Sequence, residues 1–236
     1  MSTSGFLYEG NELELFAHAR NWKRYWGSIV QPHLGDRVLD VGAGIGETAK
    51  TLATDHQKRW VCLEPDRRMA EQIAHRISSR DLPAICEVRA GTIDDISERD
   101  FSAILYIDVL EHIRNDRDEL RKAAERVRPD GRVIVLAPAY QWLYTPFDRA
   151  IGHFRRYTLA ELRALAPPQL SEESGVYLDS IGLFASLANR LVLKSKMPTT
   201  RQIAIWNGAM VPVSRIVDPA LFYRIGKSIL AIWRRR

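Results

Sequence analysis

Two stretches of this 236-residue chain carry side chains whose types and spacing could do chemistry. The first is Val38-Leu-Asp-Val-Gly-Ala-Gly-Ile-Gly46. Glycines at 42, 44 and 46 let the backbone turn sharply and let a ligand come within contact distance of the main chain. Glu47 then opens a helix whose first N–H groups face that ligand. Some 20 residues after Gly44 stands Glu64, at the end of a second apolar run. A carboxylate there can accept both ribose hydroxyls of an adenosine. The glycine spacing is G-x-G-x-G, with Asp40 before it, and departs from the G-x-G-x-x-G of dinucleotide enzymes. The second stretch, Ile107-Asp-Val-Leu-Glu-His-Ile113, brings Asp108, Glu111 and His112 to the end of a later strand. Further on, Gly152-His-Phe-Arg-Arg-Tyr-Thr158 adds His153. A histidine with a pKa near neutrality is a candidate general base.

These groups need a frame, and the hydrophobic pattern supplies one. Asn11 to Val30 has a helical apolar face, ended by Pro32 and Gly35. Strands follow at Arg37–Val41, Arg59–Glu64, Ala84–Arg89, Ser102–Asp108 and Arg132–Ala137, alternating with helices. Asp66 caps one helix, which runs to about Ser79, and Asn115 to Val127 forms another. That rhythm is the pattern of a parallel, doubly wound α/β sheet. Its ligands bind outside the carboxyl ends of the strands, where Asp108, Glu111 and His112 emerge. Ala139 to Tyr157 reads as an aromatic-rich loop with Arg149, Arg155 and Arg156 interleaved. Such a mixture suits a planar or sugar ring bearing negative charge, a nucleic-acid base, or self-packing over the sheet. Thr158 and Glu161 then form a capping box. Two final strands are expected at Gly175–Ile181 and Lys227–Trp233, with a helical stretch between them from Phe184 to Tyr223.

Composition narrows the class. Thirty-four lysines and arginines against 29 acids give a net charge of +5, which suits an anionic partner without choosing one. Hydrophobic residues at 46% and charged residues at 27% exclude a fibrous or disordered chain. Cys62 and Cys86 both fall in apolar runs, so a reducing, cytoplasmic setting is expected and a disulfide is not. No secretory signal and no membrane span are expected. The Phe184–Tyr223 stretch is both greasy and basic, which fits domain packing, a lid or peripheral membrane contact.

From about Val38 to Leu165 the chain resembles the class I S-adenosylmethionine (SAM)-dependent methyltransferases, whose first motif ends a strand as acid-x-G-x-G-x-G. The resemblance implies a Rossmann-like sheet of seven strands with flanking helices, the last strands antiparallel, and a helical C-terminal insertion. It implies that Asp40 orients the turn and the amino-acid end of SAM. Gly42, Ala43, Gly44 and Gly46 would form the cofactor turn, and Glu64, with Pro65 beside it, would hold the ribose. Thr92 and Ile93 fall where the family grips adenine, although an acid is common at the position of Thr92. Ile107 would border the same pocket. One domain is expected over residues 1–236, with residues 1–33 as a helical cap and 184–223 as the insertion.

Leu110-Glu-His112 is similar to a motif of the ubiquinone-biosynthesis O-methyltransferases. The same stretch resembles the small-RNA 2′-O-methyltransferases, in which an acid-x-x-Glu-His cluster holds a divalent metal. That likeness implies Asp108, Glu111, His112 and His153 as ligands of a magnesium-type ion. A metal-free site, with His112 or His153 as base or orienter, remains the other reading. The expected function is SAM-dependent methylation of a small-molecule hydroxyl on a sugar, a lipid-linked glycan or a natural product, with Glu111, His112 and His153 at the reacting end. An RNA methyltransferase and a nicotinamide-dependent oxidoreductase are the rivals. Acceptor and oligomeric state stay open.

Overall fold

The computed structural model describes residues 12–188 and 199–236. Seven strands make one sheet: β1 (Arg37–Val41), β2 (Arg59–Glu64), β3 (Cys86–Ala90), β4 (Phe101–Ile107), β5 (Val127–Pro138), β6 (Leu170–Leu178) and β7 (Ser228–Arg235). Their order is β3-β2-β1-β4-β5-β7-β6. The first five pair in parallel, and β7 runs antiparallel to both β5 and β6. β6 therefore runs in the direction of the first five strands, so the expected antiparallel ending holds for β7 alone. The connections explain this. The chain leaves β6 at its carboxyl end and returns at that same edge, where Lys227 N–H donates to the Asp179 carbonyl at 3.1 Å.

The order reverses between β1 and β4, which opens a crevice at their carboxyl ends. Alternate residues of each strand face opposite sides, as the pleat requires. Leu39, Val41, Leu63, Tyr106 and Val135 fill one core; Val38, Trp60, Leu105, Ile134 and Leu136 fill the other. Each such side chain contributes roughly 1.5–3 kcal/mol on burial, which makes the sheet a stiff platform for its loops.

The helices are α1 (Glu12–Ala17), α2 (Arg20–Val30), α3 (Glu47–Leu52), α4 (Arg67–Ser78), α5 (Asp116–Arg126), α6 (Pro146–Ala150), α7 (Leu159–Leu165), α8 (Ser180–Ala188), α9 (Thr200–Ile205) and α10 (Val211–Ala220). A π turn over Trp206–Met210 joins the last two. The single helix expected from Asn11 is two helices, because the chain breaks at His18–Ala19 and Lys23 Nζ caps the free Ala17 carbonyl at 2.7 Å. α6 stands inside the expected loop Ala139–Tyr157, and β6 begins five residues before Gly175, because its polar residues Ser171, Glu172 and Glu173 hide an edge strand. β5 likewise runs through Pro129-Asp-Gly131, which reads as a stop. Cys62 and Cys86 are free and buried. Arg190, Leu191, Lys194 and Lys196 of the expected insertion, and the first 11 residues of the expected cap, lie outside the described residues. Among the described residues no helix is long and apolar enough to cross a membrane.

Candidate active site

The turn after β1 takes left-handed φ values at Gly42, Gly44 and Gly46, of +66°, +57° and +83°. A Cβ on Gly42 would lie 2.8 Å from the methyl carbons of Val109, so space as well as conformation demands glycine there. Gly42 and Ala43 N–H both donate to the Leu63 carbonyl, at 2.8 and 3.1 Å, which clamps the turn to β2. Glu64 closes the clamp: Oε2 accepts from Gly44 N–H at 2.7 Å and Oε1 from Asp66 N–H at 2.9 Å. Burial raises the Glu64 carboxyl above its ordinary range while these donors lower it. Each oxygen keeps a lone pair for a further donor. Asp40 is buried behind the turn with Oδ2 unpartnered, and burial, aided by the charge of Glu64, pushes its pKa up to about 8.

Other expected cofactor residues gather at the same edge. Pro65 is half-buried after Glu64, and Gly91 N–H donates to the Glu64 carbonyl at 3.0 Å, which sets Thr92 beside it. Thr92 N–H donates to Asp95 at 2.8 Å in a capping box, while the Ile93 side chain is sunk into the core. Ile107 is half-buried at the end of β4. Sequence reasoning missed three supports of the turn. Arg76 donates to the Ile45 carbonyl and pairs with Glu47, Lys23 pairs with Glu47 as well, and Leu13 of α1 comes within side-chain reach of Gly44.

Past β4 the chain makes a single 3-10 turn, Leu110–His112, that turns Glu111 inward. The Glu111 side chain is 0% exposed, and neither carboxylate oxygen has a hydrogen-bond partner. Such a group costs about 1–3 kcal/mol or more unless something satisfies it. Its neighbour is His153 Nε2, 3.8 Å from Oε1. Burial, reinforced by the charge of Asp108, pushes the Glu111 carboxyl well above the usual range. The His112 ring meets the His153 ring edge-on, with centroids 4.5 Å apart. Burial and the adjacent His153 push the His112 imidazole down to about 3, so it is neutral at pH 7. One ligand atom from each of Glu111, His112 and His153 lies within 4.8 Å of the others. Asp108 is not part of that group; it is exposed, with a left-handed φ of +55°.

His153 is held on every side. Nδ1 lies 3.0 Å from Asp148 Oδ1, its N–H donates to the Asp148 carbonyl at 2.9 Å, and its carbonyl accepts from Tyr144 OH at 2.7 Å. Arg156 grips Asp148 with two N–H groups, Nε at 2.8 Å and Nη2 at 3.0 Å. Burial works against the Asp148 charge, but His153 and Arg156 hold its carboxyl far below the usual range. Two imidazoles and a carboxylate form a donor set for a divalent first-row metal, and a carboxylate behind one imidazole is the usual outer support. Sequence reasoning missed Asp148, and it placed Arg156 in the loop as a partner for a charged ring, whereas the guanidinium binds Asp148. The signal was Thr145-Pro-Phe-Asp148, a capping box in which Thr145 N–H donates to Asp148 Oδ2 at 2.8 Å.

The aromatic loop packs largely on itself. Tyr140 stacks on Trp142 and on Tyr177, with centroids 5.4 and 5.2 Å apart, and Tyr157 is buried with its OH donating to Asp116 at 2.9 Å. Arg155 pairs with Asp116 and Arg156 with Asp148, so two of the three loop arginines are engaged within the protein.

Residues 39–133 match the family model described as a methyltransferase domain. Demethylmenaquinone methyltransferase of Tropheryma whipplei is 27% identical over 169 residues, which cover 67% of this chain and 64% of that protein. The chain thus spans just under two thirds of that relative's length. An uncharacterised protein of a Streptomyces fradiae transposon is 29% identical over 133 residues, covering 53% of this chain and 36% of its own. Among solved structures, geranyl diphosphate methyltransferase in complex with SAM superposes with a TM-score of 0.65 at 15% identity, over 97% of this chain and 91% of the other. The cyclase SpnF gives 0.61 at 15% identity, over 89% and 79%. At such identities the likeness is one of fold, a seven-stranded Rossmann-like sheet, and one neighbour bears a name from another chemistry.

Proposed function

We propose that the chain is a class I SAM-dependent methyltransferase that methylates a hydroxyl of a small-molecule acceptor (a sugar, a lipid-linked glycan or a natural product) at a centre that also binds a divalent cation; the match of residues 39–133 to the methyltransferase-domain model supports the reaction class. The observation that carries the cation is Glu111, buried with both oxygens bare beside two histidines.

The glycine turn fits SAM. Three left-handed glycines keep the main chain open to contact, the bare Asp40 Oδ2 suits a cationic amino-acid end, and Glu64 has lone pairs left for ribose hydroxyls. In this reading Gly42, Ala43, Gly44 and Gly46 cradle the cofactor, and Pro65, Thr92, Ile93 and Ile107 border its adenine and ribose. SAM, when bound, supplies an electrophilic methyl group. Glu111, His112 and His153 would hold a divalent ion there, and that ion would supply Lewis-acid activation of the acceptor hydroxyl. Asp148 fixes the ring of His153 so that Nε2 faces Glu111. Positioning of this kind yields much of the rate in a transfer that needs a nucleophile in line with the methyl group.

The engaged loop arginines and self-stacked aromatics weigh against RNA as acceptor, and the methyltransferase match sets the nicotinamide reading aside. Calorimetry on the purified protein tests the proposal with S-adenosylhomocysteine, Mn²⁺ and NADH as separate titrants. Micromolar binding of the first, on the order of −8 kcal/mol, together with a stoichiometric Mn²⁺ site and no heat from NADH, is the expected result. Absence of S-adenosylhomocysteine binding overturns the cofactor assignment; absence of Mn²⁺ binding overturns the cation alone.

A further inference from the structure

After Asp179 the remaining sequence holds ten lysines and arginines and a single acid, Asp218. That acid is buried at 0% exposure, where it accepts from Tyr25 OH and from the N–H groups of Asp179 and Ser180. Among the described residues of this last part, Arg201, Arg215 and Arg224 stand exposed and no acidic side chain does.

The same stretch gathers the exposed apolar surface. Of seven large hydrophobic side chains that stand exposed among the described residues, five lie here: Phe184, Ile205, Val213, Ile216 and Phe222. Ile216 and Phe222 are each 77% exposed. α10 spends its opposite face on the protein, where Val211, Ser214 and Asp218 are buried. Its outer face, with Val213 and Ile216, has Arg215 between them and Arg201 and Arg224 at the two ends of the helical stretch, all three exposed. An apolar stripe flanked by arginines is the composition of a helix that lies in the headgroup plane of a bilayer. Aliphatic side chains of this kind have no hydrogen-bond groups to read a nucleic acid, while the arginines select for negative headgroups. The layer also borders the site: Lys227 Nζ sits 4.5 Å over the Trp206 ring, and the Lys227 carbonyl accepts from Ala139 N–H, just beyond β5, at 2.8 Å.

We infer that the outer face of α9 and α10 docks on an anionic lipid bilayer, with Ile205, Val213, Ile216 and Phe222 entering the interface and Arg201, Arg215 and Arg224 meeting the headgroups. This inference stands apart from the methyl-transfer reading, and S-adenosylhomocysteine binding measured on every variant keeps the two separable.

The test is co-sedimentation of the full chain with vesicles of phosphatidylcholine alone or mixed with phosphatidylglycerol. Binding to the anionic vesicles is expected to exceed binding to the neutral ones about tenfold or more, and to weaken as salt screens the arginines. Ile216→Glu with Phe222→Glu should abolish it while leaving thermal stability and S-adenosylhomocysteine affinity unchanged; Arg215→Gln with Arg224→Gln should weaken it on anionic vesicles only. Failure of the native protein to sediment, or equal binding by the glutamate variant, overturns the inference. So does a dimer that the glutamate variant dissociates, or binding to an RNA oligonucleotide without vesicle binding, since either assigns the face to another partner.

Discussion

Two buried acidic centres of this molecule are alike in exposure and opposite in how they are satisfied. Asp218 accepts from Tyr25 OH at 2.8 Å, from Asp179 N–H at 2.7 Å and from Ser180 N–H at 3.0 Å. Asp179 accepts from Gly182 N–H at 3.0 Å, Ser214 Oγ at 2.7 Å and Trp206 Nε1 at 2.7 Å. Glu111, no more exposed than these, accepts from nothing. A buried carboxylate that the protein itself saturates is a tie between elements: here it joins α2, α8, the π turn and α10. A buried carboxylate that the protein leaves bare is open to a partner from outside, and in the proposed reading His112 and His153 beside it suit a divalent cation.

The largest effect expected from this contrast is on folding. Asp218→Ala strands three donors in the interior, and each stranded group costs about 1–3 kcal/mol. Urea denaturation should show a loss of about 3 kcal/mol or more, with the Mn²⁺ site of the surviving folded protein intact. A loss under about 1 kcal/mol would mean that the Asp218 cluster is no tie at all.

Glu111→Gln should behave in the opposite way. Its stability should stay within about 1 kcal/mol of the native protein, or rise, because a bare buried carboxyl is exchanged for a neutral amide of the same shape. Its Mn²⁺ affinity should fall by at least about 100-fold, since even outer supports of metal ligands are worth 10- to 100-fold. Calorimetry reads both halves. A variant that loses stability yet keeps Mn²⁺ affinity would reverse the roles assigned to the two centres.

The two centres also differ in how far the sequence discloses them. Glu111 and His112 are adjacent in the chain and follow an apolar strand, so spacing alone puts them at the carboxyl edge. The glycine turn, the Asp66 cap and the Thr158–Glu161 box were legible for the same reason, since each is a device of a few consecutive residues. Asp218 gives no such sign: its hydrogen bond to Tyr25 spans 193 residues. Asp148 was hidden differently, since α6 is only five residues long and aromatic neighbours masked its capping box. β6 escaped at its start because an edge strand with glutamates at 172 and 173 lacks the apolar alternation of the inner strands.

Asp40 lies between the two extremes, and its effect is spread over pH. It is buried, with Oδ2 bare, at the turn that the proposed cofactor occupies. In the unfolded chain its carboxyl titrates near the ordinary aspartate value of about 3.9; in the fold, burial and the charge of Glu64 push that up to about 8. Between those two pH values the folded protein holds a proton that the unfolded chain has released. Linkage then requires stability to fall as pH rises through that window, by no more than about 1.4 kcal/mol per pH unit from this one group. Asp40→Asn has nothing to titrate there. Relative to that variant, the native protein should lose stability steadily from pH 5 to about pH 8 and level off above. A native-minus-variant difference that is flat over this range would show that Asp40 is ionised in the fold, with a partner that satisfies it as fully as Asp218 is satisfied.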